Sequence, residues 1–207
     1  MRPCLIGDQT RSLRDRCFPA GIFESVAHPG MNDAPSPSAP PHALALPAVT
    51  GPVYTLSAED LHRGCEAARH SPRRRIILPL HRTQDALVQR MLNFMQPGTW
   101  VTPHRHPLPH AIETVQVLRG ALGFLIFAPD GTVQATYRLA AGGAGSLLDI
   151  EPGLWHGMVV LEPDTVLLEI KRGPYDAATD KEFAAWAPAE GNPAAAAAMD
   201  AWLGLFP

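Results

Sequence analysis

Short apolar runs separated by turn residues fill residues 85–171 of the chain. The runs are rich in Val, Leu, Ile and Phe and recur at intervals of about 8–12 residues, which is typical of β-sandwiches and barrels. Pro129, Asp130 and Gly131 predict a hairpin turn, because proline presets the first turn angle and glycine tolerates positive φ. The pattern predicts strands at residues 86–95, 100–102, 113–119, 121–128, 132–139, 146–150, 156–161 and 165–171.

One helix is predicted before these strands and one after them. Ser57 and Asp60 have the spacing of a capping pair, which predicts a helix over residues 58–69 that ends before Pro72. The alanine-rich residues 194–204 predict a second helix near the end of the chain. The basic triplet Arg73–Arg75 is interpreted as a surface loop, with an anion contact as the alternative. The fold class is therefore mainly β.

Residues 1–53 show no sustained period of 2 or 3.6, and residues 31–50 are rich in proline, alanine and serine. Such a segment buries too little apolar surface to offset the entropy cost of ordering it, so we expect it to be mobile. The folded domain is predicted to span residues 54–207. We further expect translation to start at Met31, because Met31-Asn32-Asp33 has the character of an ordinary leader.

Charge and composition exclude several classes of partner. The chain of 207 residues has a formal net charge of −3, which disfavours binding to nucleic acid or to anionic membranes through bulk charge. No run approaches the roughly 18–20 apolar residues that a membrane helix needs. The three cysteines are widely spaced and include no C-x-x-C pair, so neither a disulfide framework nor a thiolate zinc site is indicated. We expect a soluble, cytoplasmic protein.

Three of the nine histidines fall within seven residues, and two of those share a strand face. His104 and His106 are two positions apart, so both imidazoles project from one side of a strand. Glu113 opens the next apolar run, where a buried carboxylate needs a cation nearby. His156 follows Pro152 and Gly153 at the start of a later strand. Three imidazoles and one carboxylate suit one divalent transition metal, such as Fe, Mn, Ni, Zn or Cu.

These residues resemble known motifs. The pattern Gly98-x5-His104-x-His106-x6-Glu113-x6-Gly120 resembles the first cupin motif, and Pro152-Gly153-x-x-His156 resembles the second. The chain is most similar to WbuC-type cupin-fold metalloproteins, in the runs RMLNFMQPGTWVTPHRH (90–106), EPGLWH (151–156), LEIKRGPYD (168–176) and DKEFAAWAPAEG (180–191). The resemblance implies a single cupin jelly-roll β-barrel, with its core at about residues 85–172 and one metal in the barrel mouth.

The chain departs from the cupin pattern at two places. Six residues separate His106 from Glu113, more than the usual cupin spacing, so His110 competes for the third ligand position. We prefer Glu113, because its interval to Gly120 is kept and the loop around His110 is too rich in proline to continue a strand. The cupin asparagine four residues beyond the last histidine is Val160 here, which removes a contact around the ligands.

Further polar residues are candidates for binding a small-molecule ligand: Arg90, Asn93, Glu169, Lys171 and Tyr175. Arg90 and Asn93 are three apart on one strand, so at most one of them faces inward unless a bulge intervenes. Glu169 and Lys171 share a face, where they line the site or form an exposed ladder of charges. Tyr175 covers the barrel mouth or anchors the tail.

Two functions remain open at the level of sequence. The first is a metal-dependent enzyme that acts on a small polar or sugar-type substrate, linked by the WbuC resemblance to surface polysaccharide biosynthesis. The second is a non-catalytic module that binds a metal or a small ligand, which the lack of an evident general base favours. The cupin resemblance is also compatible with a homodimer.

Overall fold

The computed structural model describes residues 42–207. Most of the segment predicted to be mobile, including Met31, lies outside these residues. Two helices and ten strands follow in chain order: α1 (Ala58–His70), β1 (Arg75–Pro79), β2 (Val88–Met95), β3 (His104–Arg105), β4 (Glu113–Arg119), β5 (Ala121–Phe127), β6 (Val133–Ala140), β7 (Leu147–Ile150), β8 (Trp155–Val160), β9 (Thr165–Arg172), β10 (Glu182–Phe183) and α2 (Ala194–Leu203). Within the described residues, no helix is long and apolar enough to span a membrane.

The strands form two antiparallel five-stranded sheets. Sheet A has the order β1-β2-β9-β4-β7, and sheet B has the order β10-β3-β8-β5-β6. This double-sheet arrangement is that of a jelly roll, so the mainly β prediction is confirmed. The two sheets of the predicted jelly-roll β-barrel do not join into a closed barrel. Each sheet keeps two edge strands, because the chain passes between the sheets at turns such as Gly120 without continuing a hydrogen-bonded ladder.

The main hydrophobic core lies between the two sheets. Val115 and Val117 of β4 alternate with more exposed neighbours, as period-2 burial requires. Their partners come from both sheets: Met95, Leu122, Phe124, Leu139, Ile150, Met158, Val160 and Leu167. Beside this core, buried polar side chains lie at β3 and near the starts of β4 and β8.

The helix α1 covers the outer face of sheet A. Its predicted capping box is present: the Ser57 hydroxyl accepts from the Asp60 backbone at 3.0 Å, and the Asp60 carboxylate accepts from the Ser57 backbone at 3.3 Å. Gly64 allows the close approach, since a Cβ there would lie 2.4 Å from the Phe94 ring. The helix thus buries Cys65 and Ala68 against β1 and β2.

The helix α2 and the residues after it cover the outer face of sheet B. Trp202 stacks on Trp100 with ring centroids 5.0 Å apart, and it packs against Phe127 at 5.2 Å. Gly123 leaves room for the Phe206 ring, which would meet a Cβ at 2.4 Å. Both sheets are therefore covered on the outside, and the space between them is left for the core and the site.

The strand β1 was not predicted from the sequence. Residues 45–49 lie along its free edge and form hydrogen bonds with it. The Leu46 amide donates to Ile77 at 2.8 Å, and the Val49 amide donates to Pro79 at 3.1 Å. Ala45 forms a parallel bridge with Ile77. Contacts with the folded domain thus begin before residue 54, where the sequence analysis placed its start.

Candidate metal centre

The four predicted metal ligands come from three strand regions in two sheets. His104 lies on β3 directly opposite His156 on β8, and His106 follows one residue after β3. Glu113 is the first residue of β4 in sheet A. All four side chains are buried, with residue exposures between 2% and 4%. The fold therefore places three imidazoles of one sheet against a carboxylate of the other.

The donor atoms of His104, His106, Glu113 and His156 converge, and all lie within 4.8 Å of one another. The Glu113 Oε2 atom is 3.2 Å from His106 Nε2 and 3.3 Å from His156 Nε2. His110, the competing candidate, is exposed and is not part of this group. Glu113 therefore lies among the three imidazoles, and His110 does not.

Each of the three imidazoles is held by a backbone carbonyl on its other nitrogen. The Nδ1 atom of His104 donates to Thr102 at 3.0 Å, and that of His156 donates to Leu154 at 2.9 Å. The Nδ1 atom of His106 donates to the Asp180 carbonyl at 2.5 Å. Such bonds fix the tautomer, so the Nε2 lone pairs point toward the centre, as they do in metal sites.

Three of the converging atoms have no hydrogen-bond partner among the described residues. They are His106 Nε2, His156 Nε2 and Glu113 Oε2, and each is inaccessible to solvent. Burying a polar atom without a partner costs free energy, so such atoms call for an explanation in a folded protein. A cation at their meeting point would satisfy all three at once. The residues present therefore fit a metal ion.

The pKa shifts differ among the converging residues: burial lowers the pKa of His106, but its contact with Glu113 outweighs burial and raises that pKa. Burial lowers the pKa of His104 well below its usual value, and the nearby Lys181 charge lowers it further. Burial raises the pKa of Glu113, but its close contacts with the His106 and His156 imidazoles outweigh burial and bring that pKa well below its usual value. These two directions favour the ionised carboxylate of Glu113 and the neutral imidazole of His104, which are the forms that bind a metal.

A cavity of about 370 Å³ adjoins the four residues and is lined by His104 and Glu113. Its wall includes four of the five predicted ligand-binding residues, which are Asn93, Glu169, Lys171 and Tyr175. Arg90 is the exception. It is exposed on the opposite face of β2, because residues three apart on an unbulged strand point to opposite sides.

Glu169 and Lys171 face the cavity and do not form an exposed ladder. The Asn93 side-chain amide donates to Glu169 at 3.0 Å across the β2–β9 pair. Burial and the charge of Glu113 raise the pKa of Glu169. The Lys171 ammonium contacts both carboxylate oxygens of Asp180, at 2.6 and 2.7 Å, and lies 5.6 Å from the centre of the Tyr175 ring.

Asp180 is the residue at this site that the sequence analysis did not single out. Its carbonyl holds His106, and its carboxylate holds Lys171. The only sequence signal was its place at the start of the run at residues 180–191 that carries the WbuC resemblance. Its role depends on a contact between residues 74 positions apart, which no local pattern encodes.

Comparison with known proteins gives a family match and a set of structural likenesses. A family described as "Domain of unknown function (DUF6016)" matches residues 56–139, which include three of the four converging residues. No protein with a curated description matches the chain. The fold itself is mainly β, with two antiparallel five-stranded sheets and two helices.

Three solved structures illustrate the likeness. KdgF from Halomonas sp. is 21% identical, with 50% of this chain and 82% of that chain covered and a TM-score of 0.39. An uncharacterized conserved protein with a double-stranded β-helix domain from Klebsiella pneumoniae subsp. pneumoniae is 17% identical, with 65% and 98% covered and a TM-score of 0.46. An oxalate oxidase is 17% identical, with 55% and 57% covered and a TM-score of 0.42. Likenesses at this level do not assign an activity to the chain.

Proposed function

We propose that the protein binds one divalent transition metal through His104, His106, Glu113 and His156. The observation that carries this proposal is the set of buried Nε2 and Oε2 atoms that meet without a partner. The carbonyl bonds on every Nδ1 atom support it, since they aim all three imidazoles at one point. Three nitrogens and one oxygen suit Fe, Mn, Ni or Zn.

We further propose that the protein is a metal-dependent enzyme with a small polar substrate. A bound metal would supply Lewis acidity or an activated water at the cavity wall. Among the chain's own groups, Asn93 orients the Glu169 carboxylate, and the raised pKa of Glu169 suits it to hold or release a proton. Lys171 would hold an acceptor group of the substrate, within reach of the same wall.

The substrate class rests on the cavity and on the sequence resemblance. The wall combines charged groups with apolar ones such as Met91 and Leu167, a mixture that suits a sugar ring with polar substituents. The similarity to WbuC-type proteins supports a sugar-type substrate in surface polysaccharide biosynthesis. The alternative is a non-catalytic module, which is favoured by one observation: the ligands come from both sheets, so a metal would also tie the sheets together.

Elemental analysis tests the metal site. The protein is purified without a nickel column, alongside the variants His104→Ala, His156→Ala and His110→Ala. We expect about one metal per chain in the parent and in His110→Ala, because His110 is exposed and outside the converging group. Both other variants should lose the metal. Equal metal content in all four proteins would refute the site.

A second experiment separates the enzyme from the binding module. Sugars and nucleotide sugars are screened for turnover before and after treatment with a chelator, and after metal is restored. The enzyme proposal expects turnover that follows the metal, and loss of turnover in Glu169→Gln with metal content unchanged. If the metal changes only the melting temperature and no compound is converted, the module is the better description.

A further inference from the structure

Two cavities meet beside the candidate metal centre. The cavity of about 370 Å³ described above adjoins a second one of about 590 Å³. They share seven lining residues, among them His104, Arg73, Arg75 and Lys181. Because His104 lines both, the passage between the cavities leads directly to the converging ligands. A ligand bound at the centre therefore has room to extend past three basic side chains.

Two of these basic side chains share a single carboxylate. Arg73 donates to Glu190 through Nε at 2.6 Å and through its terminal nitrogen at 3.0 Å. Arg75 donates to the same Glu190 carboxylate at 2.9 Å. Burial lowers the pKa of Arg75, and the charge of Arg73 lowers it further, although Glu190 opposes both effects. Two guanidinium groups thus compete for one acid.

The third basic group, Lys181, likewise shares its carboxylate partner with another cation. The Lys181 ammonium lies 3.8 Å from Asp180, beyond hydrogen-bond distance, and Asp180 is already engaged on both oxygens by Lys171. No other carboxylate approaches the Lys181 ammonium within 4 Å in the part of the chain that the structure describes. The passage therefore carries three cationic side chains, Arg73, Arg75 and Lys181. Their carboxylate partners are Glu190, which the two arginines share, and Asp180, which Lys181 shares with Lys171.

We infer that this passage is an anion-binding subsite, formed by Arg73, Arg75 and Lys181, and that the ligand of the metal centre carries a carboxylate or phosphate group. The inference rests on the proposed function, because it assumes that the other end of the same ligand lies at the metal centre. Guanidinium groups suit both oxyanions, since each presents paired donors in a fixed fork. The ligand's anionic group displaces or joins Glu190, and its remaining part lies in the cavity lined by Glu169 and His104.

The neighbouring Arg74 provides a matched control. Its side chain donates to the Pro97 carbonyl at 2.7 Å and does not line either cavity. Arg73→Gln, Arg74→Gln and Arg75→Gln therefore make the same chemical change at three successive positions, of which two face the passage. Glu190→Gln makes the opposite change, because it removes the carboxylate that competes for both guanidinium groups.

Calorimetry at low ionic strength, with inorganic phosphate and acetate as separate probes, tests the subsite. We expect Arg73→Gln and Arg75→Gln each to weaken binding of the preferred probe about tenfold, and Arg74→Gln to leave it unchanged. Glu190→Gln should tighten binding severalfold, which a merely structural ion pair would not do. The stronger of the two probes identifies the anionic group as a phosphate or a carboxylate.

The same titrations are run on protein as purified and on protein stripped of metal. Binding that persists without metal and still depends on Arg73 and Arg75 supports the subsite even if the proposed metal function fails. Loss of binding on metal removal alone, with all arginine variants equal to the parent, would overturn the subsite and leave the metal site standing. Equal affinity of Glu190→Gln and the parent would likewise overturn it.

Discussion

At the scale of single residues, the candidate site depends on how each histidine is held. His104 and His156 use the same device, in which Nδ1 donates to the carbonyl two positions earlier in the chain. His106 instead uses the carbonyl of Asp180. The sequence predicted these residue types and their spacing as candidate ligands. The carbonyl that holds His106 could not be predicted, because Asp180 lies 74 positions away along the chain.

Asp164 provides a prediction for the dependence of stability on pH. Its side chain accepts from Gln96 at 2.7 Å and from Arg69, and it lies 3.7 Å from Arg119. Burial raises the pKa of Asp164, but these partners outweigh burial, and the net pKa is below its usual value. A lowered folded-state pKa contributes stability above the unfolded-state pKa of about 3.9, and that stability is lost as pH falls through the folded-state value.

We expect Asp164→Asn to lower the free energy of unfolding at pH 7 by about 1.5–3 kcal/mol, the usual worth of hydrogen bonds to a charged group. Urea unfolding at pH 7 and at several pH values down to 3 measures this, and the difference from the parent should shrink toward pH 3. Asparagine tolerates the positive φ of 56° at this position, so backbone strain does not contribute.

Glu162→Gln is the matched control for Asp164→Asn. Its partner Arg138 is 3.5 Å away, and both side chains are about half exposed, so this pair contributes about 0–1 kcal/mol. If Asp164→Asn costs no more than Glu162→Gln at pH 7, the buried carboxylate does not provide the stability assigned to it.

At the scale of elements, local patterns predicted some strands and missed others. The bounds of β4 agree with the prediction, because alternating burial gives a clear period of 2. The strand β1 was missed, since its short apolar run lies between the basic triplet and Pro79. The two-residue strand β10 has no apolar pattern, as both of its residues are exposed. It exists because it pairs with β3.

The segment 173–190, here called the strap, connects β9 to the region beyond β10 and lies across the candidate site. Lys171 of β9 and Asp180 of the strap form an ion pair whose side chains are only 8% and 10% exposed. Removing one partner of a buried pair leaves the other charge uncompensated, which is more costly than removing both. The ion pair therefore anchors the strap. The hydrogen bond from His106 to the Asp180 carbonyl is a second anchor.

Asp180→Ala should lower the free energy of unfolding by about 3–5 kcal/mol, because it leaves the Lys171 ammonium buried and unpaired. It should also weaken metal binding about 10–100-fold, since the carbonyl that orients His106 is no longer anchored. Chemical unfolding and competition with a chelator measure the two effects. The double variant Lys171→Met with Asp180→Ala is expected to recover most of the stability.

The strap offers its own control for this experiment. Glu182 contacts Arg105 at 2.7 Å, but both side chains are more than a third exposed, so Glu182→Gln should change stability by about 1 kcal/mol or less. If the Asp180→Ala variant is as stable as the Glu182→Gln variant and binds metal equally tightly, the anchoring role of Asp180 is contradicted.

At the scale of the whole molecule, the candidate centre joins the two sheets. Three imidazoles belong to the β3 and β8 region of sheet B, and Glu113 belongs to sheet A. Without a cation, the facing polar atoms of the two sheets remain buried and unsatisfied. A metal held only by the folded chain stabilises it by mass action, because the unfolded chain does not present the four ligands together.

Metal should therefore raise the melting temperature. A metal concentration about 100-fold above its Kd corresponds to about 2.7 kcal/mol, which for a domain of this size is a shift of about 5–10 °C. Thermal unfolding of chelated and metal-loaded protein measures the shift. In Glu113→Ala the metal-dependent shift should be much smaller, since that variant removes the ligand from sheet A. A shift as large as in the parent would contradict the joining of the sheets.

The sequence by itself determined what local chemistry can encode. It specified the mainly β class through period-2 apolar runs, the first helix through its capping box, and the ligand candidates through their spacing on strands. These features depend on residues within a few positions of one another, so no knowledge of the fold is needed to recognise them.

Only the tertiary structure decided which polar groups meet. Asn93 faces Glu169 across 76 positions, and Arg73 reaches Glu190 across 117. The same packing turns Arg90 outward, places His110 in solvent and makes part of the basic triplet a wall of the passage. The physical reason is that sheet register and the path of the strap set these contacts, and both depend on the packing of the whole core.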